Sequence, residues 1–122
     1  MQFDLGAMYH LGQVVPQNYT EAVMWYRRAA DQGSARAQSI LGEMYANGDG
    51  VPQNDVQAHM WFNLAAATAN PVSQKETRDK AVYNCNLVAR KMTPAQIAEA
   101  QKLAAEWKPK RCKEGPPGFW NC

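Results

Sequence analysis

The sequence predicts an all-α fold, a solenoid of stacked antiparallel helix pairs. Three observations carry that prediction: the chain repeats itself at an offset of 36 residues, apolar side chains recur at helical spacing within each repeat, and a two-residue joint, Gly33-Ser34, links successive units. Slid by 36 positions, Leu5-Gly6-Ala7-Met8-Tyr9 falls on Leu41-Gly42-Glu43-Met44-Tyr45, and Val15-Pro16-Gln17-Asn18 on Val51-Pro52-Gln53-Asn54. Between residues 5 and 30 there are 14 identities in 26 without a gap, where average residue usage gives roughly one or two. A fixed period of roughly 20 to 50 residues marks units that cannot bury an apolar face alone and must stack.

Each unit reads as two helices. In residues 35–47, Ala37, Leu41, Met44 and Tyr45 recur at helical spacing, and the pattern stops at Asn47-Gly48-Asp49-Gly50, whose glycines can take the positive φ that ends a helix. This is helix A. After Val51-Pro52-Gln53, Asn54 or Asp55 caps helix B, which runs through residue 69 with Ala58, Trp61, Phe62 and Ala65 inward. Gly6 and Gly42 lie inside helix A, where glycine costs about 1 kcal/mol relative to alanine. Close helix contact offsets that cost, with Trp25 and Trp61 expected in the space left by the missing Cβ, and the short Gly33-Ser34 joint makes neighbouring helices antiparallel.

These residues resemble the Sel1-like repeat, a relative of the tetratricopeptide repeat with the motif LGxMYxxGxGVxxD/N followed by xxAxxWYxxAAxxG. The resemblance covers residues 1 to about 70, two units, and departs from the motif at Val14, which stands where the second loop glycine is expected. It implies a right-handed, tetratricopeptide-like α-solenoid, with repeat 1 at 1–33 short of its N-terminal cap, repeat 2 at 34–69, capping helices at 70–108 and a Pro/Gly-rich basic tail at 109–122. Within 70–108, Asn70-Pro71 opens a helix to about Lys91 with Ala81, Cys85, Val88 and Ala89 inward. Thr93-Pro94-Ala95-Gln96 is a capping box that opens another, with Ile97, Ala100, Leu103, Ala104 and Trp107 on one face. At the other end the first helix starts without a cap, so an upstream segment or a second copy of the chain is expected to cover it.

A chain of 122 residues, 46% hydrophobic and 20% charged, has room for one small domain or a few stacked units and is too ordinary in composition to be disordered. No run approaches the roughly 18 uncharged apolar residues of a membrane span, and the N-terminus reads as neither a basic leader nor an apolar one. The compartment stays open: cytoplasmic, or periplasmic or secreted if a leader was removed. Charge is uneven, three Lys/Arg against six Asp/Glu in residues 1–72 and ten against five in 73–122. A bridge between Cys112 and Cys122 would close the tail and suit an oxidising compartment; three free or buried thiols, with Cys85, satisfy the odd count equally.

Chemistry-bearing patterns are sparse. His10 and His59 stand alone, with no ligand cluster for a metal. No GxSxG is present, Cys85 sits on an apolar helix face, and Gly48-Asp49-Gly50-Val51 lacks the GK[ST] of a phosphate cradle. Glu43 and Asp49 have no partner at a telling spacing for acid–base work, and no cofactor is implied. Lys108, Lys110, Arg111 and Lys113, with Phe119-Trp120, are the residues a nucleic-acid binder would use, but nothing else in the chain is strongly basic. Trp25, Trp61, Tyr9 and Tyr45 recur with the repeat and read as core.

Stacked helix pairs curve, so the A helices line a concave face suited to an extended peptide or a partner helix. The non-core positions there are Arg36, Ser39, Glu43 and Asn47, with Phe3, Ala7 and Leu11 in the first unit and His10 adjoining. They vary between units while the packing positions do not. The resemblance implies the same role, an adaptor assembling complexes, often in bacterial signalling, envelope or host-interaction settings. Some cysteine-rich relatives are associated with penicillin binding or β-lactam hydrolysis, but their cysteine framework is absent here.

Overall fold

The computed structural model describes residues 6–7, 10–11 and 18–108, with the backbone of 113–114 and 120–121. Residues 6–7 and 10–11 are helical. Five helices follow: α1 (Tyr19–Asp31), α2 (Ala35–Asn47), α3 (Asp55–Thr68), α4 (Lys75–Ala89) and α5 (Pro94–Glu106). The one extended pairing among the described residues is a minimal antiparallel contact in the tail, β1 (Lys113–Glu114) against β2 (Trp120–Asn121). The protein is an all-α solenoid apart from that contact.

α1, α2 and α3 each start where a side-chain oxygen can replace a missing backbone partner. Asn18, Ser34 and Asn54 accept from the N–H groups of Glu21, Ala37 and Gln57, at 3.1, 3.3 and 3.1 Å, which satisfies donors that otherwise have no acceptor. Thr93 opens α5 with the full reciprocal box, its hydroxyl accepting from Gln96 N–H while the Gln96 side chain accepts from Thr93 N–H. α2 ends on Gly48 at φ +75°, whose N–H donates to Met44 O at 2.8 Å. Asn70 forms a separate turn, its Oδ1 accepting from Val72 and Ser73 N–H, so α4 begins at Lys75 rather than at the proline.

The helix pair α2/α3 is drawn together at Gly42. A Cβ built there would lie 2.6 Å from the Phe62 ring, and one at Gly6 would lie 2.8 Å from Tyr26. The aromatic rings in the glycine notches are therefore Tyr26 and Phe62, not Trp25 and Trp61 as the spacing suggested. The inference of glycine facing an aromatic residue holds one position further along helix B. Trp61 is fully buried, with Trp107 edge-on at 6.4 Å and the Arg27 guanidinium 5.2 Å from its ring centre. Trp25, its repeat equivalent, is only half-buried, with Arg28 over the ring. The two differ because α5 brings Trp107 onto Trp61.

Two buried clusters meet on α3. One joins Ala22, Tyr26, Ala30, Leu41, Met44 and Trp61 across α1, α2 and α3, with Leu103 of α5 and Trp107 just beyond its end against it. The other joins Ala58, Phe62, Val88, Met92 and Ala100. α4 and α5 each pack along α3 and touch one another little, and α4 meets α2 only lightly. α4 carries Ala81 and Val88 inward as expected, while Val82 and Tyr83 face solvent.

Gly42→Ala gains about 1 kcal/mol of helix propensity, but its Cβ must displace the buried Phe62 ring, an overpacking that costs about 1–3 kcal/mol. The net expected is a loss of up to about 2 kcal/mol in urea unfolding. Gly42→Ala combined with Phe62→Leu should recover part of the loss; an additive double variant would show that the two positions do not touch.

Candidate functional site

Because α4 packs on α3 but only brushes α2, a groove opens between α2 and α4. The two helices run the same way: Arg36 and Ser39 face the stretch 73–77, Glu43 faces Lys80, and Asn47 faces Asn84 to Lys91. One ion pair spans the gap, Lys80 Nζ to Glu43 Oε1 at 3.1 Å. With Lys80 largely in solvent, such a pair is worth less than about 1 kcal/mol and opens easily. It divides the groove. The first chamber, about 400 Å³, is polar, with Arg36, Ser39 and Ile40 opposite Ser73, Gln74, Glu76 and Thr77. The second, about 270 Å³, has Ala46, Phe62 and Val88 beneath a rim of Asn47, Asn84, Leu87 and Lys91.

The sequence-predicted contact residues divide accordingly. Arg36, Ser39, Glu43 and Asn47 come together along the groove, Ser39 deeply buried within it. Ala7 is half-buried and Leu11 exposed, but neither lines either chamber. His10 turns toward α1, its Nδ1 3.3 Å from the Tyr26 hydroxyl and its ring edge-on to Tyr19 and Tyr26. Phe3, Cys112 and Cys122 lie outside the described residues. The opposite wall, from Ser73 to Lys91, went unforeseen because the repeat pattern fades there. Its one legible signal was a helix with too few apolar positions to be covered on every side.

Three titratable groups away from the chamber linings are held neutral by burial. The Tyr26 phenol is pushed up to about 12, chiefly by burial, with the Arg36 charge opposing and the Glu43 charge reinforcing the shift. Burial lowers the pKa of His59 and raises that of the Cys85 thiol. Folding brings these two together, which their separation in sequence concealed, yet the thiol donates to the His59 carbonyl oxygen at 3.9 Å and not to the ring. That arrangement does not make a thiolate nucleophile. Among the described residues no group of three or more His, Cys, Asp or Glu side chains is placed to hold a metal, and no helix is long and apolar enough to cross a membrane.

A family model described as Sel1 repeat matches residues 1–34 and 35–67. The chain belongs to the Sel1-repeat family. Among solved structures of Sel1-repeat architecture, it is similar to c5321, a protective antigen present in uropathogenic Escherichia coli strains and displaying an SLR fold. That match has 33% identity and a TM-score of 0.77 over 87% of this chain, but 21% of the other. It is also similar to a Sel1 repeat protein from Oxalobacter formigenes, at 29% identity and a TM-score of 0.55, over 86% of this chain and 47% of the other. The chain thus spans less than half of either relative. No curated protein matches it significantly. Sel1-repeat proteins are usually protein–protein interaction scaffolds, and in this one Arg36, Glu43 and Asn47 of α2 line the groove.

His59 gives the pH dependence a definite sign. Its folded pKa lies below the ordinary 6.5, so the unfolded chain binds the extra proton first. Stability is then complete above about pH 6.5 and falls as the pH drops from there to the folded value. Thermal melts across that window should show the fall, and His59→Gln should flatten it; an unchanged slope in the variant would assign the effect to other groups.

Proposed function

We propose that this chain is a protein-binding adaptor whose α2/α4 groove receives an extended peptide or a partner helix on the concave face of a short solenoid. The observation that carries the reading is the contrast between α2/α3, closed at Gly42 against Phe62, and α2/α4, bridged by one weak ion pair. A packing interface leaves no such gap. The gap is lined by side chains that can hydrogen-bond a backbone, including Ser39, Ser73, Thr77, Asn47 and Asn84. Family membership supports the same reading, and the adaptor role assigns no catalytic group. With a groove this short, affinity for one isolated peptide is modest, since ordering a flexible ligand offsets much of what the contacts contribute.

A photo-cross-linking amino acid at Thr77 or Asn84 should form discrete adducts with a second polypeptide in the native host, whereas the same group at Lys102, exposed on α5, should not. Glu43→Lys should weaken those adducts and leave the circular dichroism melt within a few degrees, as loss of an exposed pair predicts. Adducts equally strong at Lys102, or none at Thr77 and Asn84, would move the binding surface away from the groove.

A further inference from the structure

Resting on that reading, we infer that the second chamber selects a peptide in which one bulky apolar side chain is flanked by carboxylates. Its volume, about 270 Å³, is below the roughly 300–1,000 Å³ of sites that enclose a whole small ligand, and it suits a single side chain. The floor is apolar, with Phe62 and Val88 closing it and Leu87 on the rim. The rim is basic. Lys80 and Lys91 line it against a single carboxylate, Glu43, and that carboxylate is already engaged by Lys80 at 3.1 Å. Among the described residues Lys91 has no carboxylate within ion-pair reach.

The first chamber has no such bias, because Arg36 and Lys80 there are balanced by Glu43 and Glu76. The residual positive charge is therefore confined to the chamber with the apolar floor. An apolar side chain sitting on Phe62 and Val88 leaves its neighbours in an extended chain at the rim. Carboxylates in those neighbours meet Lys91 and compete with Glu43 for Lys80, while lysines there meet like charge. Exchange at Lys80 costs little because the existing pair is solvent-exposed.

The test uses four fluorescein-labelled ten-residue peptides in a Gly/Ser background, read by fluorescence anisotropy and by amide shifts of the ¹⁵N-labelled full chain. Three have a central Leu flanked by Glu, Gln or Lys, and the fourth has a central Ala flanked by Glu. The Glu-flanked Leu peptide should bind about five-fold tighter than its Gln counterpart, with the Lys and Ala peptides weaker. Lys91→Glu should reverse the order of the Glu and Lys peptides, whereas Arg36→Gln should leave the order intact. Equal binding of all peptides, with shifts along α2 and α4, would overturn this selectivity and leave the groove reading standing. Shifts confined to other surfaces, or none with any peptide, would overturn both.

Discussion

The close approach of helix A to helix B at Gly42 is the constraint on which the rest of the molecule depends. A ring seated where a Cβ would lie 2.6 Å away fixes both the distance between α2 and α3 and their register along the axis. That register in turn decides which side chains of α2 are consumed. Leu41 and Met44 go into the core, while Arg36, Glu43 and Asn47 turn toward α4. The groove is the complement of the packing seam, and a shift of the seam would rotate a different set of residues into it. The aromatic layer behind it, Trp61 with Trp107 and Arg27, holds α3 from the other side.

The loop after α2 carries a second such constraint. Gly50, at φ +73°, lies so close to the start of α1 that a Cβ would sit 2.5 Å from the Tyr19 carbonyl oxygen. Asn54 N–H donates to Tyr45 O at 2.9 Å and ties the far side of the same loop to α2. Gln38, fully buried, donates from its side chain to Ala30 O at 3.1 Å and secures the Gly33-Ser34 joint from within. The loop of the second unit is thus held by backbone contacts, and Gly50 meets its contact at the position where the first unit has Val14.

Much of this was legible in the sequence, and the reason is physical. Periodic identity reports positions where one geometry is imposed twice, so α2 was readable to both ends and α3 nearly so, together with their caps. Thr93 and Gln96 were readable because a capping box is local. Which aromatic fills the glycine notch was not, since Trp61 and Phe62 are adjacent on one helix and both point inward; only the crossing of α2 and α3 separates them. Nor was the pairing of Cys85 with His59, which depends on how α4 lies along α3. The groove was half legible. Its α2 wall follows from helix A positions left over by the core, whereas Ser73 to Lys91 carry no repeat signature.

That second silence has the same cause as the site itself. α4 contains no glycine to match Gly42, so it has no notch that draws another helix against it, and α5 settles on α3 instead. Freed from a tight partner, α4 keeps one row of contacts through Ala81 and Val88 and leaves the side facing α2 lined by Thr77, Lys80, Asn84 and Leu87. Lys80 and Asn84 among them would carry a desolvation cost into a closed helix seam. The features that erase the repeat from the sequence here are the ones that hold the gap open. In this solenoid the fading of periodicity beside an intact unit coincides with the gap between α2 and α4.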